Sequence, residues 1–322
     1  MKYPFPFEEK PTNCQGPIWR YSKNPIIPRE SQPGFARVFN SAILRMEDGN
    51  YEGIFRVEDL SLIPNLHLGR SEDGIRFQLE REPLRFLDET GHPAKPTKWS
   101  YDPRLTKIGD TYWLIFCDEF DDFPSIGMAY SKDLKTFVKL NRPFPPLSRN
   151  GALFPEKIGG KYWMLYRPTV DAGRNLDMFI ASSDDLHHWG DYSLFYRRPP
   201  LGWSCLKVGA GATPIKTKRG WLVLYHGVIG TCNGYVYSMG AMLTDLEDPR
   251  KVIAVGKNYL LHPVEPYETS GFVPNVCFPC SAIVDEETGR IAIYYGAADT
   301  ILALAFSTVD GLVDWVLENK AD

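Results

Sequence analysis

The chain has 322 residues, of which 43% are hydrophobic and 24% are charged, and its formal net charge is −4 at pH 7. This composition is that of a folded globular protein and excludes a disordered chain. Because the charge is negative and Lys and Arg form no dense run, we expect neither nucleic acid nor an anionic membrane as a partner.

The N-terminal segment gives no sign of secretion. Its first ten residues contain prolines and charges where a signal peptide needs a continuous apolar stretch. No stretch of the sequence reaches the ~18 apolar residues of a membrane-spanning helix. We therefore expect a soluble cytoplasmic protein.

A hairpin-like pattern recurs five times along the chain: a short strand, a Gly- or Asp-bearing turn and an aromatic-rich strand. The copies span residues 39–55, 103–116, 152–166, 213–225 and 281–295. Strands of small and apolar residues that end in acidic turns follow, as in residues 179–186. Repetition at an irregular spacing of roughly 50 to 70 residues is typical of a propeller with four-stranded blades. We predict an all-β, five-bladed β-propeller that forms a single domain over residues 1–322.

Helical periodicity is sparse. A short N-terminal extension precedes the first repeat, and Leu312 to Asn319 predict a short C-terminal helix. The long crossover helices that parallel βαβ units need are missing from the pattern. The propeller is therefore favoured over an α/β fold.

Polar side chains are concentrated at one end of each repeat. In a hairpin, the start of the first strand and the end of the second lie at the same edge, so these positions should surround one mouth of the central channel. The turns at the opposite edge hold mainly turn residues. The asymmetry predicts a pocket for a small polar ligand.

By charge, the polar set divides into two halves. The acidic and amide-rich half, which suits sugar hydroxyls, contains Asn40, Ser41, Arg56, Asp59, Asp102 and Asp299. The basic half contains Arg149, Arg167, Lys207 and His226. Converging cations in an acidic protein predict an anionic ligand, and guanidinium groups suit phosphate. The nearby residues 209–211 are glycine-rich but lack the full phosphate-loop pattern.

Metal and redox chemistry have little support in the sequence. Cys277 and Cys280 have the spacing of half a zinc site, but no second Cys or His pair stands at a matching spacing. The pair His187-His188 is interpreted as part of an exposed turn. We expect ordinary thiols, no metal and no organic cofactor.

Several motifs together resemble glycoside hydrolase family 130, the β-mannoside phosphorylases and mannosidases. The resemblance runs from about Gly16 to Val316 and rests on residues 101–104 (YDPR), 149–155 (RNGALFP), 209–211 (GAG), 225–228 (YHGV), 233–238 (NGYVYS) and 294–300 (YYGAADT). It implies a five-bladed propeller and an inverting mechanism. In that mechanism Asp102 is the general acid, and its proton passes through the mannose 3-hydroxyl to the glycosidic oxygen.

The resemblance also implies two sets of binding residues. The phosphate set is Arg149, Arg167, Lys207, His226 and Tyr237. The mannose set is Asn40, Ser41, Arg56, Asp59, Arg104, Asn150 and Asp299. A phosphorylase needs no second catalytic carboxylate, because phosphate is the nucleophile and requires only cationic positioning. Retention of the basic set therefore predicts mannosyl transfer from a β-mannoside to inorganic phosphate, the co-substrate, giving α-mannose 1-phosphate.

Alternatives stay open at this point. A hydrolase would need a second catalytic carboxylate, for which Asp118 and Asp299 are the candidates, and a non-catalytic propeller would bind mannosides without turnover. Residues 169–177 differ from the longer loop associated with β-1,4-acting members, which leaves a β-1,2 linkage as an alternative. The acceptor sugar, which can be glucose, N-acetylglucosamine or mannose, and the accepted chain length depend on loops such as 120–124 and 170–177. A homo-oligomer is compatible with the sequence.

Overall fold

The computed structural model describes residues 5–120, 123–169 and 176–321. In these ranges, five mainly antiparallel β-sheets surround a central channel as the blades of a propeller. The predicted all-β, five-bladed architecture is therefore confirmed.

The first half of the chain forms three blades after a short first strand, β1 (Trp19–Arg20), which belongs to blade 5. Blade 1 contains β2 (Phe35–Arg45), β3 (Tyr51–Asp59), β4 (Pro64–Ser71) and β5 (Gln78–Leu79). Blade 2 contains β6 (Phe86–Leu87), β7 (Trp99–Ile108), β8 (Thr111–Phe120), β9 (Phe123–Ser131) and β10 (Phe137–Lys139). Blade 3 contains β11 (Ser148–Leu153), β12 (Tyr162–Pro168), β13 (Met178–Ser183) and β14 (Gly190–Tyr196).

The second half forms two blades and two helices. Blade 4 contains β15 (Lys207–Ala210), β16 (Ile215–Thr217), β17 (Gly220–Thr231), β18 (Gly234–Thr244) and β19 (Val252–Val255). The short helix α1 (Pro266–Thr269) follows. Blade 5 contains β20 (Cys277–Asp285), β21 (Arg290–Ala297) and β22 (Ile301–Thr308), and α2 (Val309–Glu318) comes last.

The two ends of the chain meet in blade 5, where β1 is the outermost strand. Trp19 and Arg20 pair with Phe306 and Ala305 of β22. The Arg20 guanidinium also donates from Nε and Nη2 to the two carboxylate oxygens of the fully buried Glu268, at 2.7 and 2.8 Å. These contacts fasten the N-terminal strand to the last blade and close the ring.

Each predicted hairpin is present, and its strands extend beyond the predicted ends. The first, expected over residues 39–55, joins β2 and β3. In blade 4 the first strand is divided into β15 and β16, which both pair with β17. The second hairpin shows how the turns form, because Ile108 pairs with Thr111 and leaves Gly109 and Asp110 as a two-residue loop. Gly109 has a φ of 60°, which glycine adopts without the steric cost of a side chain.

The acidic turns that follow the third strands are caps of tight turns. Asp73 Oδ1 accepts hydrogen bonds from the backbone N–H groups two and three residues later, at 2.9 and 2.8 Å. Asp133 and Asp185 repeat this arrangement in blades 2 and 3. A carboxylate that holds successive backbone N–H groups stabilises a turn. These aspartates are therefore structural, and the pair His187-His188 lies in the turn that Asp185 caps.

Apolar side chains fill the spaces between adjacent blades. Between blades 1 and 2, for example, Ile54 and Leu66 pack with Leu114 and Phe116 in one buried cluster. Burial of a side chain of this size contributes about 1.5–3 kcal/mol. The sheet faces therefore hold the ring together, and the strand edges at the channel are free to carry polar groups.

The C-terminal helix α2 overlaps the region predicted to be helical, begins three residues earlier and ends one residue earlier, at Glu318. The Thr308 hydroxyl accepts a hydrogen bond from the Gly311 N–H at 3.1 Å and caps its first turn. Leu312, Val313 and Val316 are buried against blades 4 and 5. Neither helix of the described ranges has the length and apolar character that crossing a membrane requires.

Candidate active site

The inner strand of every blade is interrupted close to the channel. In blades 1, 2 and 3 the pairing with the second strand shifts at residues 39–42, 101–104 and 149–152. Blade 5 shifts at 279–281, and in blade 4 residues 211–214 separate β15 from β16. Such bulges leave residues outside the hydrogen-bond ladder and redirect their side chains. The motifs expected at strand starts therefore lie at interruptions inside the inner strands.

Three polar residues at these bulges share an uncommon backbone conformation. Asn40, Asp102 and Asn150 have φ angles of 45°, 52° and 57°. Asn and Asp enter this left-handed region more readily than other residues with a side chain. Residues held in such conformations are concentrated at functional sites. Because the three residues occupy equivalent places in three blades, we expect a functional site at the mouth of the channel.

A cavity of about 400 Å³ opens over the bulges. This volume lies in the range of small-molecule binding sites. Ten of the residues assigned to the site from the sequence line it: Asn40, Arg56, Asp102, Arg149, Asn150, Arg167, Lys207, His226, Tyr237 and Asp299. The structure thus brings together side chains from all five blades, as the repeat pattern predicts.

Asp102 is held by two side chains from blade 1. Its Oδ1 accepts hydrogen bonds from Arg56 Nη1 at 2.8 Å and from Asn40 Nδ2 at 2.9 Å. Arg56 Nη2 also donates to Glu58 at 2.6 Å, and Glu58 pairs with Arg37. This series of alternating charges fixes the orientation of the Asp102 carboxylate. Within the described part of the chain, no side chain donates to the other oxygen, Oδ2.

The pKa values of the two cavity carboxylates Asp102 and Asp299 move in opposite directions. Burial raises the pKa of Asp102, but the Arg56 and Arg104 guanidinium groups outweigh burial and hold this pKa below its ordinary value. Burial raises the pKa of Asp299 to about 6, because Arg56 offsets burial only in part and the charge of Asp102 adds to the effect. In the ligand-free protein Asp102 is therefore ionised at neutral pH, and Asp299 takes up a proton just below it.

Three cations converge on the other half of the cavity, and we call them the cationic cluster: Arg149, Arg167 and Lys207. Arg167 Nη1 contacts the His226 ring at Nε2, 3.1 Å away. With the Asn150 amide oxygen turned toward Arg167, this oxygen accepts hydrogen bonds from both Nη atoms at 3.0 and 3.2 Å. His226 and Asn150 therefore hold the Arg167 guanidinium in place.

Burial lowers the pKa values of three basic groups in this half, those of Lys207, Arg167 and His226. Burial and the charges of Arg167 and Arg149 lower the pKa of Lys207 to about 8. Burial lowers the pKa of Arg167 to about 10. Burial and Arg167 also hold the pKa of His226 well below its ordinary value, so its ring is neutral. Lys207 Nζ donates to the Tyr237 hydroxyl at 2.5 Å. An anion among these groups would raise each pKa again, because it stabilises the charged forms.

The cationic cluster contains buried donors that lack a partner. Arg149 Nε and Arg167 Nε make no hydrogen bond to any described residue. The carboxylate of Glu119 is 3.6 Å from Arg149 Nη2. The Arg167 Nη atoms contact a backbone carbonyl, His226 and Asn150, and no carboxylate among the described residues pairs with Arg167. Buried donors are normally paired. An anion with several oxygen acceptors would satisfy these donors and balance the charge.

Gly209 makes room for the cluster. A Cβ at this position would come within 2.6 Å of His226 Cε1 and 2.8 Å of Arg167 Nη1. Gly209 pairs with His226 in the sheet, and the Gly211 N–H donates to the Leu224 carbonyl at 3.0 Å. Residues 209–211 thus allow a close approach of side chains, and the Gly211 N–H is already used within blade 4.

Comparison with known proteins agrees with this geometry. The model of glycoside hydrolase family 130, described as β-1,4-mannooligosaccharide phosphorylase, matches residues 2–318 of the chain. The chain belongs to glycoside hydrolase family 130. Membership confirms the resemblance found in the sequence motifs.

Two relatives and one solved structure are similar over most of the chain. β-1,4-Mannooligosaccharide phosphorylase of Ruminococcus albus is 44% identical over 98% of this chain and 96% of its own length. The 1,2-β-oligomannan phosphorylase of Thermoanaerobacter sp. strain X514 is 36% identical over 89% and 95%. The structure of β-1,2-mannobiose phosphorylase from Listeria innocua with β-1,2-mannobiose has a TM-score of 0.83 and 28% identity, covering 94% of this chain and 99% of that one.

Three side chains assigned to the sugar from the sequence lie off the cavity wall of this family 130 chain: Ser41, Asp59 and Arg104. Ser41 is fully buried, and its hydroxyl donates to the Phe39 carbonyl at 3.3 Å. Asp59 caps a loop, accepting hydrogen bonds from the backbone N–H groups two and four residues later at 2.8 and 3.2 Å. Arg104 is buried below the cavity, where it binds backbone carbonyls. These three side chains therefore bind the backbone around the cavity and do not line its wall.

The family 130 cavity also contains polar and aromatic residues that were not assigned from the sequence: Arg37, Glu58, Trp99, Tyr101, Glu119, Phe272 and Phe278. Strand alternation provides a signal for Glu58, which lies two residues after Arg56 on β3 and so on the same face. Trp99 and Tyr101 stand within the segment that carries Asp102. Their rings supply apolar surface that a sugar ring can contact.

Asp118, one of the two carboxylates considered for a hydrolase, does not line the cavity, whereas its neighbour Glu119 does. Asp118 is fully buried in blade 2, where it pairs with Lys139 at 2.6 Å and accepts a hydrogen bond from the Thr97 hydroxyl at 2.6 Å. Glu119 lines the cavity and accepts from the Tyr101 hydroxyl at 2.7 Å. Because successive side chains of a strand point to opposite sides, a one-residue difference decides which carboxylate reaches the site.

The remaining expectations concern thiols, metals and loops. Cys277 and Cys280 are buried free thiols, and burial raises the pKa of both, that of Cys280 to about 12. No group of potential metal ligands is found among the described residues. Of the loops assigned to acceptor selectivity, residues 121–122 and 170–175 lie outside the described residues.

Proposed function

We propose that this chain is an inverting β-mannoside phosphorylase, which transfers a mannosyl group to inorganic phosphate and releases α-mannose 1-phosphate and a shortened sugar. The observation that carries the proposal is the cationic cluster, which shares one cavity with Asp102 and has unpaired buried donors. The two relatives described above are named as phosphorylases of β-linked mannosides.

We assign phosphate binding to the cationic cluster, with Tyr237 and His226 beside it. Two guanidinium groups and an ammonium group can each donate to phosphate oxygens, and charge-assisted hydrogen bonds are the stronger ones. The neutral His226 ring contacts Arg167 and so supports the cluster. We place Asn150 on this side as well, because its amide lies against Arg167. Phosphate held in this way is positioned for attack without a protein nucleophile.

Asp102 is assigned the role of general acid. A general acid must be protonated when the glycosidic bond breaks, yet Arg56 and Arg104 keep the pKa of Asp102 low in the ligand-free protein. Phosphate brings negative charge into the same cavity, which disfavours a second anion nearby and raises the pKa of the carboxyl group. Substrate binding also removes water. We therefore expect Asp102 to take up its proton as the ternary complex forms.

Mannose is assigned to the half of the cavity that Asp102 shares with blades 1 and 5. Asn40, Arg56 and Asp299 line this half and offer the amide, guanidinium and carboxylate groups that sugar hydroxyls bind. The open Oδ2 of Asp102 provides the site from which a proton can reach the 3-hydroxyl of mannose and then the glycosidic oxygen.

The arrangement of carboxylates favours phosphorolysis over hydrolysis. An inverting hydrolase needs a general base about 6.5–9.5 Å from the acid, across the sugar. Of the two candidates, Asp118 is buried in an ion pair outside the cavity. Asp299 lines the cavity, but a hydrolytic role for it leaves three converging cations without a ligand.

For the linkage, we propose that β-1,4-linked mannosides are the substrates, because the relative that acts on β-1,4-mannooligosaccharides shares 44% identity with this chain. The test is to incubate the protein with β-1,4-mannobiose or β-1,2-mannobiose, with and without phosphate, and to assay mannose 1-phosphate. Asp102→Asn protein serves as the control for contaminating activity. Phosphate-dependent product from β-1,4-mannobiose supports the proposal. Faster turnover of β-1,2-mannobiose would overturn the linkage, and turnover without phosphate would overturn the reaction type.

A further inference from the structure

Arg104 lies below the floor of the cavity and joins two blades that are not neighbours in the ring. Only 1% of the residue is exposed. Its Nη1 donates to the Asp102 carbonyl at 2.8 Å, and its Nε and Nη2 donate to the carbonyls of Gly211 and Ala210 at 3.0 and 3.3 Å. One planar side chain on blade 2 therefore holds backbone of both blade 2 and blade 4.

On the blade 2 side, Arg104 binds a carbonyl that the bulge removes from the ladder. Pairing stops at Tyr101 opposite Cys117 and resumes at Arg104 opposite Ile115, so Asp102 has no ladder partner. A buried carbonyl without a hydrogen-bond partner is destabilising, because it has lost its hydrogen bonds to water. Asp102 also has its φ of 52°, a conformation that persists only where the surroundings enforce it. The hydrogen bond from Arg104 provides such a constraint on the acid residue.

On the blade 4 side, Arg104 binds the end of β15, the strand that carries the proposed phosphate ligand Lys207. Ala210 is the last residue of β15 and Gly211 follows it, so the ladder ends at these carbonyls. The same strand begins with Lys207, and its Gly209 pairs with His226. A shift of this strand end would move these groups relative to Asp102.

The charge of Arg104 acts on both halves of the site. Within the described ranges, its guanidinium hydrogen-bonds only to the three backbone carbonyls. Its charge contributes to the low pKa values of both Asp102 and His226. Two effects of Arg104 can therefore be separated experimentally. One is the geometry of its fork, the planar guanidinium whose three nitrogens donate to the three carbonyls, and the other is the presence of its charge.

We propose that Arg104 is a positioning residue that sets the distance and orientation between Asp102 and the phosphate site by tying together the two backbone segments that carry them. It acts through these backbone segments and touches neither sugar nor phosphate. The inference rests on the proposed phosphorolysis, in which the acid and the nucleophile must act on one bond in a single step.

The test compares Arg104→Lys, which keeps the charge and loses the fork, with Arg104→Met, which loses both. A displacement of the reacting groups by about 1 Å can cost about 10²-fold in rate. We expect kcat to fall by about 10²-fold in both variants, while the KM for the mannoside changes by less than about threefold. In Arg104→Met alone, loss of the charge raises the pKa of Asp102 and moves the alkaline limb of the kcat profile to higher pH.

The matched control is Thr106→Val. The Thr106 and Thr213 hydroxyls form a second link between blades 2 and 4, 2.8 Å long, on the far side of the bulge. We expect this variant to unfold at a lower temperature and to keep its kcat. Binding stoichiometry for phosphate, measured by calorimetry, corrects each kcat for the folded fraction. If Arg104→Met does not fold, Arg104→Lys carries the test.

Three results would overturn the inference. The first is wild-type kcat per folded molecule in Arg104→Lys, and the second is an equal loss of kcat in Thr106→Val. The third is an active Asp102→Asn protein, which would remove the acid role itself and the proposed function with it. An inactive Asp102→Asn protein beside fully active Arg104 variants would refute the positioning role alone.

Discussion

Replacing Arg167 with methionine removes a cation from the phosphate side of the cavity and preserves most of the side-chain volume. Arg167 is 6% exposed, and burial lowers its pKa to about 10, so its guanidinium is poorly solvated. A hydrogen bond from a charged group in such a place is worth about 1.5–3 kcal/mol. The loss of this free energy weakens phosphate binding by about ten- to a hundredfold.

The assay varies phosphate at a saturating concentration of β-mannoside and then varies the mannoside at saturating phosphate. We expect the KM for phosphate to rise by about ten- to a hundredfold and the KM for the mannoside to change by less than about threefold. The control is Arg219→Met, because the Arg219 side chain is 56% exposed and pairs with Asp314 on the surface at 2.8 Å. A constant KM for phosphate together with a rising KM for the mannoside would refute the division of the cavity.

Three further changes test the electrostatics of the site. Asp102→Asn should lower turnover by about 10²–10⁴-fold or more at an unchanged melting temperature, and more than a tenth of the wild-type rate would remove Asp102 from the mechanism. Because the pKa of Lys207 is lowered to about 8, kcat/KM for phosphate should fall as pH rises through about 8. The Lys207→Met variant should lack this decrease. A wild-type kcat/KM that stays constant up to about pH 9 would exclude the role of Lys207 in the pH profile. Burial raises the pKa of Asp299 to about 6, so folding favours its protonated form, and the contribution of this group to stability decreases as pH rises from about 4 to about 6. Asp299→Asn should therefore raise the free energy of unfolding by about 1–3 kcal/mol at pH 7.5, with little gain at pH 4, and urea titrations that show no gain at either pH would contradict this.

The repeat pattern was sufficient to predict the blades, because each hairpin carries its own turn and its own alternation of apolar residues. Gly109-Asp110 between two β-rich segments specifies a tight hairpin without reference to the rest of the chain. The ends of the strands were less accessible. The prediction began the first strand of blade 1 at Phe39, whereas β2 begins at Phe35 and continues through a bulge at Asn40 and Ser41.

The bulges also explain which site residues were missed. A sequence indicates polar residues near a strand end, but the direction of each side chain depends on register, and a bulge changes register within the strand. Asp118 was therefore considered for the site in place of Glu119. Arg104 belongs to the right motif but points below the cavity, because its hydrogen-bond partners Ala210 and Gly211 come from a distant blade. Such contacts across the channel have no local signal in the sequence.

The measurement that tests the central claim most directly is proton NMR of the first turnovers with β-1,4-mannobiose and phosphate. A single displacement by phosphate from the face opposite the leaving sugar predicts α-mannose 1-phosphate as the initial product, with no covalent enzyme intermediate. The reverse reaction should build a β-mannoside from α-mannose 1-phosphate and an acceptor sugar and release phosphate. Free mannose as the initial product, formed at the same rate when phosphate is omitted, would contradict the account.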